Sequence, residues 1–288
     1  METTQTVAAL RGLLARRRAE GASVGLVPTM GYLHAGHQEL IRRAGEECDE
    51  VVTTIFVNPL QFAAGEDLDQ YPRDPAGDEA KAAGAGSTIL FAPPPAEMYP
   101  NGADQVATSV SVAELAARME GSSRPTHFAG VCTVVAKLFN LVGPCSAYFG
   151  EKDFQQLAII RRMVEDLSFE VEVVGCPTVR EADGLAMSSR NAYLTPEERE
   201  VAPVLRRALL HGAELIGEGQ RSADHVRGEM AAVVEAAPLG TLDYVEVADP
   251  RSLLPVTNCD GPVRLFGAVQ FGRARLIDNL GAEPPAHG

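Results

Sequence analysis

The sequence predicts an α/β protein, a domain built on a parallel sheet with helices on both faces, followed by a smaller α+β domain. Three observations carry that expectation. As far as residue 178, short apolar or β-branched runs alternate with helical stretches at the spacing of βαβ units. One junction stands out, residues 24 to 41, VGLVPTMGYLHAGHQELI, where an apolar run breaks at Pro28 and Gly31 and two histidines open an amphipathic stretch. Beyond about residue 180 the texture changes: DYVEVADP (243 to 250) and VRLFGAVQFGRARLIDN (263 to 279) alternate as antiparallel strands do. The expected domains are residues 1–178 and 179–288.

The first helix is expected over residues 6 to 20, where Val7, Leu10, Leu13 and Leu14 recur at helical spacing before Gly21. Val24, Leu26 and Val27 make a short buried strand, and Leu40, Ile41 and Ala44 form the apolar face of the helix after it. VVTTIFVNP (51 to 59) is a β-branched run ending at Pro59, a second buried strand that delivers Asn58 and Gln61 to its C-terminal end. Residues 62 to 74 read as a polar loop, DPAGDEAKAAGAG as a short helix, STILFAP (87 to 93) as a third strand and PPPAEMYPNG as a rigid connector. QVATSVSV (105 to 112) has the alternation of another short strand, followed by a helical stretch to Met119 and a loop, GSSRPTHFAG (121 to 130).

VCTVVAKLFNLV (131 to 142) is an apolar helix, SAYFG (146 to 150) a strand, KDFQQLAIIRRMVEDL (152 to 167) an amphipathic helix and VEVVG (171 to 175) the last strand of the series. In such sheets ligands bind at the carboxyl ends of the strands. Met30 to His37, Asn58 to Gln61 and Gly150 to Asp153 all fall there. In the second part, TPEERE (195 to 200) starts a helix with Thr195 as its cap and Pro196 at its first position. A second helix covers 222 to 236, and the tail GAEPPAHG, with little to pack, is expected to be disordered.

Composition narrows the function classes. A formal net charge of −14 gives long-range attraction to a polyanion the wrong sign, which argues against nonspecific nucleic-acid or anionic-membrane binding. An anionic substrate then needs a local basic pocket. No apolar run approaches the roughly 18 residues of a membrane helix, and the N-terminus lacks the pattern of a signal peptide, so a cytoplasmic location is expected. Five cysteines (Cys48, Cys132, Cys145, Cys176, Cys259), with no CxxC pair, fit reduced thiols better than a disulfide framework or a zinc site.

Three stretches carry chemistry. At the helix start after Gly31, unpaired backbone N–H groups and the helix dipole favour an anion, and His34 and His37, three apart, share one face. That outlines a phosphate site. A zinc pair and ordinary surface histidines are the alternatives, though no acidic or cysteine third ligand stands at metalloprotease spacing; the lack of a GxxxxGK[ST] loop argues against a P-loop ATPase. GEKDFQQ (150 to 156) places Lys152 and Gln156 at i and i+4 of one helix face. A solvated helix start is the plainer alternative, but a cation in a first turn opposes the helix dipole, which points to a ligand for Lys152. READGLAMSSRNAYL (180 to 194) is either an interdomain linker or a source of hydroxyl and guanidinium donors for phosphate oxygens. A linker with such donors can close over bound nucleotide.

Taken together, VPTMGYLHAGH, FVNPLQF, EDLDQYPRD, MYPNG, RPTHFAGV, KLFNLV, YFGEKDFQQL, PTVREADGLAMSSRN and RLIDN, in that order, resemble the pantothenate synthetases, the pantoate–β-alanine ligases of the HxGH nucleotidyltransferase-like superfamily. The resemblance runs from the first strand nearly to the end. It implies a Rossmann-like ATP- and pantoate-binding domain (1–178), a smaller α+β lid domain (179–288), and a homodimer. It also implies ATP, pantoate and β-alanine as substrates, with Mg²⁺ accompanying ATP.

By position in the family pattern, Met30, Gly31, Tyr32, Leu33, His34, Ala35, Gly36 and His37 line the ATP site, with His34 and His37 on the phosphates and His37 in the proton-donor position. Gly150, Glu151, Lys152 and Asp153 form the second nucleotide segment, with Lys152 on phosphate and Asp153 on ribose. Val179 corresponds to an adenine contact, and Met187, Ser188, Ser189 and Arg190 to a mobile phosphate loop. Gln61 and Gln156 fall on pantoate, Gln61 also on β-alanine, and Asp78 on a carboxylate linked to Mg²⁺. His34, His37, Lys152 and Arg190 are thus the implied catalytic groups. The sequence departs from the family pattern at Tyr32, Gln38 and Cys132, and the large ring of Tyr32 either narrows the nucleotide entrance or points to solvent. An enzyme that stops after adenylylation and a regulator that binds nucleotide without turnover are the rival expectations.

Overall fold

A computed structural model describes residues 1–62, 68 and 71–285. Two compact units emerge, one of Met1–Glu151 with Gln155–Pro177, the other of Lys152–Phe154 with the chain from Thr178 onward. The first contains strands β1 (Glu2–Thr4), β2 (Val24–Thr29), β3 (Glu50–Ile55), β4 (Ile89–Phe91), β5 (Cys145–Gly150) and β6 (Val171–Cys176). All pair in parallel, in the order β1-β4-β3-β2-β5-β6. From β2 the chain winds outward through β3 to β4, then returns to start β5 on the other side of β2. Strand order therefore reverses between β2 and β5, the kind of switch point where open α/β sheets bind ligands.

The helices of this unit are α1 (Val7–Ala19), α2 (Ala35–Glu47), α3 (Pro75–Gly84), the one-turn α4 (Pro95–Met98) and α5 (Glu120–Ser123), α6 (His127–Val142) and α7 (Phe154–Leu167). Successive side chains of β2 face opposite sides of the sheet. Val27 enters a core with Leu40, Ile41 and Ala44 of α2 and Tyr148 of β5, all buried. Fully burying side chains of this size contributes roughly 1.5–3 kcal/mol each.

Several expectations shift. QVATSVSV forms no strand: the stretch is largely exposed, and the Val110 N–H donates to Thr133 Oγ1 at 3.0 Å rather than to a neighbouring strand. Alternation supplies a face, but a strand also needs a ladder partner. The helical stretch to Met119 is instead a run of turns, and GSSRPTHFAG holds α5 and the first turn of α6. The three-residue β1 carries no apolar signal and was not expected. In the polar loop 62–74, residues 63–67, 69 and 70 lie outside the described residues, as do residues 286–288 of the expected disordered tail, whereas Gly281 and Ala282 belong to a strand.

The second unit is an antiparallel meander, β7 (Gly240–Ala248), β8 (Val263–Phe271) and β9 (Ala274–Ala282), with helices α8 (Pro196–Val201), α9 (Val204–Gly217) and α10 (Ala223–Glu235). Thr195 and Glu198 form a reciprocal capping box at the start of α8. Buried Leu205, Leu209, Val226, Met230, Leu265 and Phe271 share one core. Gly212 lets α10 approach α9, since a Cβ there would sit 2.7 Å from the Met230 sulfur.

Candidate active site

The site at the end of β2 is built from a tight turn and two histidine caps. Gly31 has φ 87°, and a Cβ on it would stand 2.9 Å from Asp78 Oδ2 and 3.0 Å from Ile55 Cγ2, so only glycine fits. Tyr32 follows at φ 52°, a left-handed conformation that costs a non-glycine residue about 1–2 kcal/mol. Asp78 of α3 offsets that strain. Its carboxylate, 2% exposed, accepts the N–H of Tyr32 at 2.8 Å and that of Leu33 at 2.6 Å. The Tyr32 ring lies with Lys81 Nζ 5.9 Å from its centroid and helps line a cavity of about 220 Å³ at the ends of β2 and β3, together with Met30 and Asp78.

His34 is the N-cap of α2. Its Nδ1 accepts the N–H of Gly36 at 3.1 Å, while His37 Nδ1 accepts the N–H of His34 at 3.3 Å, a capping box made from two imidazoles with ring centroids 4.0 Å apart. Accepting at Nδ1 puts the single proton of each neutral ring on Nε2. The sequence shows the spacing; the cap role, normally taken by Ser, Thr, Asp or Asn, gives no sequence signal.

The end of β3 builds a buried amide pocket beside it. Asn58 caps the one-turn 3₁₀ helix Pro59–Gln61, its Oδ1 accepting the Tyr99 hydroxyl at 2.8 Å. Asn58 Nδ2 donates to Gln61 Oε1 at 3.2 Å and to the Gly130 carbonyl at 3.1 Å. Gln61 Nε2 donates in turn to Met30 Sδ at 2.8 Å, which links the pocket to the turn after β2. Arg124 and His127 both donate to the Gln61 carbonyl, at 3.3 and 2.9 Å. Gly130 permits this packing, because its Cβ would fall 2.2 Å from the Leu60 carbonyl oxygen. Burial pushes the Tyr99 hydroxyl well above its ordinary value, so it remains a donor. Sequence reasoning brought Asn58 to the strand end without a role and passed over Tyr99, Arg124, His127 and Gly130, since only the fold joins RPTHFAGV and MYPNG to FVNPLQF.

Gly150 ends β5 and Glu151 follows in the same unit. Lys152 is not in the first turn of an α-helix, as its spacing with Gln156 suggested. It occupies a 3₁₀ turn, Glu151–Asp153, and α7 starts only at Phe154, so Lys152 and Gln156 do not share a continuous α-helical face. Gln156 is half-buried on α7. Its neighbour Gln155, 4% exposed, is a brace: it donates to the carbonyls of Leu115 and Arg118 and accepts the Glu120 N–H.

In the second unit, Lys152 Nζ lies 3.4 Å from Asp153 Oδ1. Val179 and Met187 are tied by the Met187 N–H to the Val179 carbonyl at 3.0 Å, beside a bridge between Arg180 and Ala186. Ser188 caps the 3₁₀ helix Ser189–Tyr193, its Oγ accepting the Arg190 N–H at 3.2 Å. Arg180 makes a two-pronged ion pair with the buried carboxylate of Asp278, at 2.7 and 2.9 Å.

No group of three or more His, Cys, Asp or Glu side chains is arranged to hold a metal among the described residues. Asp78, expected on Mg²⁺, has each carboxylate oxygen on a backbone N–H. Both oxygens thereby hold the turn after β2. Among the described residues no helix is long and apolar enough to cross a membrane.

This is a Rossmann-like α/β enzyme fold with a small antiparallel partner unit and its polar groups gathered at the strand ends. The sequence model described as pantoate-beta-alanine ligase matches residues 2–281. The pantothenate synthetase of Heliobacterium modesticaldum is 54% identical over 264 residues, 92% of this chain and 93% of that protein. That of Rhizobium meliloti is 52% identical over 280 residues, 97% and 95% of the two chains. The crystal structure of pantothenate synthetase from Thermus thermophilus superposes with a TM-score of 0.92 at 51% identity, covering 99% of this chain and 100% of that one. A Francisella tularensis pantoate-beta-alanine ligase, complexed with beta-gamma ATP and beta-alanine, gives 0.78 at 31% identity, covering 97% of each chain. The chain belongs to the pantoate–β-alanine ligase family and is a ligase.

Proposed function

We propose that the chain condenses (R)-pantoate with β-alanine in two ATP-dependent steps. A pantoate carboxylate oxygen bonds to the α-phosphorus of ATP, and the bond from that phosphorus to pyrophosphate breaks, giving pantoyl adenylate. The β-alanine amine then bonds to the acyl carbon, AMP leaves, and the nitrogen gives up a proton to yield pantothenate. The family membership supports this reading, as does the Francisella relative's complex with beta-gamma ATP and beta-alanine.

One observation carries the site assignment. Both imidazoles at the start of α2 accept backbone N–H groups at Nδ1, so both aim an Nε2–H donor, fixed in advance, from a helix N-terminus. Such donors act on phosphate charge as the α-phosphorus is attacked. Met30 to His37 form that wall of the ATP site; Gly150 to Asp153, Val179 and Met187 to Arg190 supply the rest, with Lys152 and Arg190 as cations for the phosphates. Gln61 and Gln156 hold pantoate through amides that both donate and accept, and Gln61 also meets β-alanine. Magnesium accompanying ATP would supply positive charge that neutralises the pyrophosphate leaving group. Residues 1–178 then bind ATP and pantoate, and 179–288 act as a lid that keeps water from the adenylate. A homodimer rests on the family resemblance.

The test is AMP formation with ATP, Mg²⁺, pantoate and β-alanine, each omitted in turn. AMP that depends on all four supports the reading. Pyrophosphate release that stays indifferent to β-alanine would make the chain an adenylyltransferase, and ATP binding without pyrophosphate a regulator. His37→Ala and Lys152→Ala should each slow pyrophosphate release by about 10²–10³, with pantoate affinity little changed.

A further inference from the structure

Lys152 has an unexpected anchor. In sequence it lies between β5 and α7, yet the three residues Lys152–Phe154 pack with the second unit. What holds them is one face of the β8–β9 ribbon. Phe266 and Asn279 are direct cross-strand partners, and Arg264, two residues from Phe266, presents its side chain to the same face. Asn279, 3% exposed, donates from Nδ2 to the Lys152 carbonyl at 2.8 Å. Its Oδ1 is fixed by Arg264 Nε at 2.7 Å, which sets the amide orientation. The Arg264 guanidinium lies 4.0 Å from the centroid of Phe154, and the ring of Phe266 stands 6.0 Å from it. The turn is therefore pinned on both sides of Asp153, by a hydrogen bond at 152 and by stacking at 154.

We propose that Asn279 is a positioning residue for the ligase reaction, acting through the main chain of Lys152 to aim its ammonium group at ATP phosphate. This rests on the assignment of Lys152 to the phosphates. A 3₁₀ turn of three residues has little rigidity of its own, and a cation displaced by about 1 Å can lose on the order of a hundredfold in rate. Arg264 and Phe266 complete the clamp, whereas Asn279 bonds the backbone of Lys152 itself.

The experiment is a double-mutant cycle on pyrophosphate release with Asn279→Ala, Lys152→Ala and the pair, with KM for pantoate measured alongside. Asn279→Ala is expected to lower kcat on the order of tenfold to a hundredfold with KM for pantoate unchanged, and to add nothing once Lys152 is alanine. Losses that multiply in the pair, or a single Asn279→Ala variant at the parent rate, overturn the proposal. Should Asn279→Ala fail to fold, Asn279→Asp retains the acceptor for Arg264 and removes the donor to Lys152, and the same cycle is run with it. A Lys152→Ala enzyme at the parent rate refutes the phosphate assignment itself, and is recognised from that single variant.

Discussion

Asp78 holds Tyr32 by its backbone: a carboxylate in α3 accepts, at 2.8 Å, the N–H of a residue forced to φ 52°. The histidine pair of α2 starts two residues later, directly after the turn this contact holds. Asp78→Ala leaves two N–H groups without their acceptor, at about 1–3 kcal/mol for each that is buried. Thermal unfolding should occur at lower temperature and the adenylylation rate should fall. If Asp78 serves the turn alone, the Mg²⁺ concentration for half-maximal activity stays constant, and a marked rise would make Asp78 a metal ligand. In the same turn, Tyr32→Gly should be about 1 kcal/mol more stable than Tyr32→Ala, measured by denaturant unfolding.

His34 combines a cap with a donor, and asparagine separates the two. An asparagine at an N-cap accepts the same kind of backbone N–H as the imidazole. His34→Asn is expected to keep the parent melting temperature to within a few degrees, while pyrophosphate release slows by about 10²-fold through loss of the Nε2 donor. Parent-like turnover in this variant would reduce His34 to a structural cap.

Gly130→Ala tests the amide pocket through shape alone. The added methyl meets the Leu60 carbonyl oxygen at 2.2 Å and Gln61 Cα at 2.6 Å, so the 3₁₀ turn must move. Overpacking of this kind costs about 1–3 kcal/mol. KM for pantoate should rise more than KM for ATP, and equal changes would argue that Gln61 does not hold pantoate.

Alkaline pH should weaken the fold in a defined window. Burial pushes the Cys132 thiol from its ordinary 9.0 to about 11, and the buried Cys259 thiol is raised as well. Between those values the unfolded chain releases a proton that the folded chain keeps, so stability is full below about pH 9 and declines as pH rises. Each such group removes about 1.4 kcal/mol per pH unit across its window. Denaturant midpoints from pH 8 to 11 should follow that decline, and Cys132→Ala should make it shallower.

Much of the first unit could be read from the chain because its strands are β-branched runs that stop at Pro or Gly, as β3 stops before Pro59. The imidazole pair was visible through its three-residue spacing. What held the pair was not, because Asp78 stands 46 residues from Tyr32 and resembles an ordinary acidic residue early in a helix. Residues 105 to 112 show the opposite error, a strand pattern with nothing alongside to pair with. Lys152 was identified from its company in GEKDFQQ, but its 3₁₀ turn answers to Asn279 rather than to local helix propensity.

Asp278 and Asn279 are consecutive in β9 and point to opposite faces, one gripping Arg180 and the other the main chain of Lys152. Their partners lie 98 and 127 residues upstream. During synthesis at about 5–20 residues per second, the ribosome has therefore made the whole parallel sheet several seconds before either segment can be clamped. A nascent chain at that stage has its imidazole pair and its amide pocket but no seated lysine turn, so ligase activity should wait until β9 has emerged.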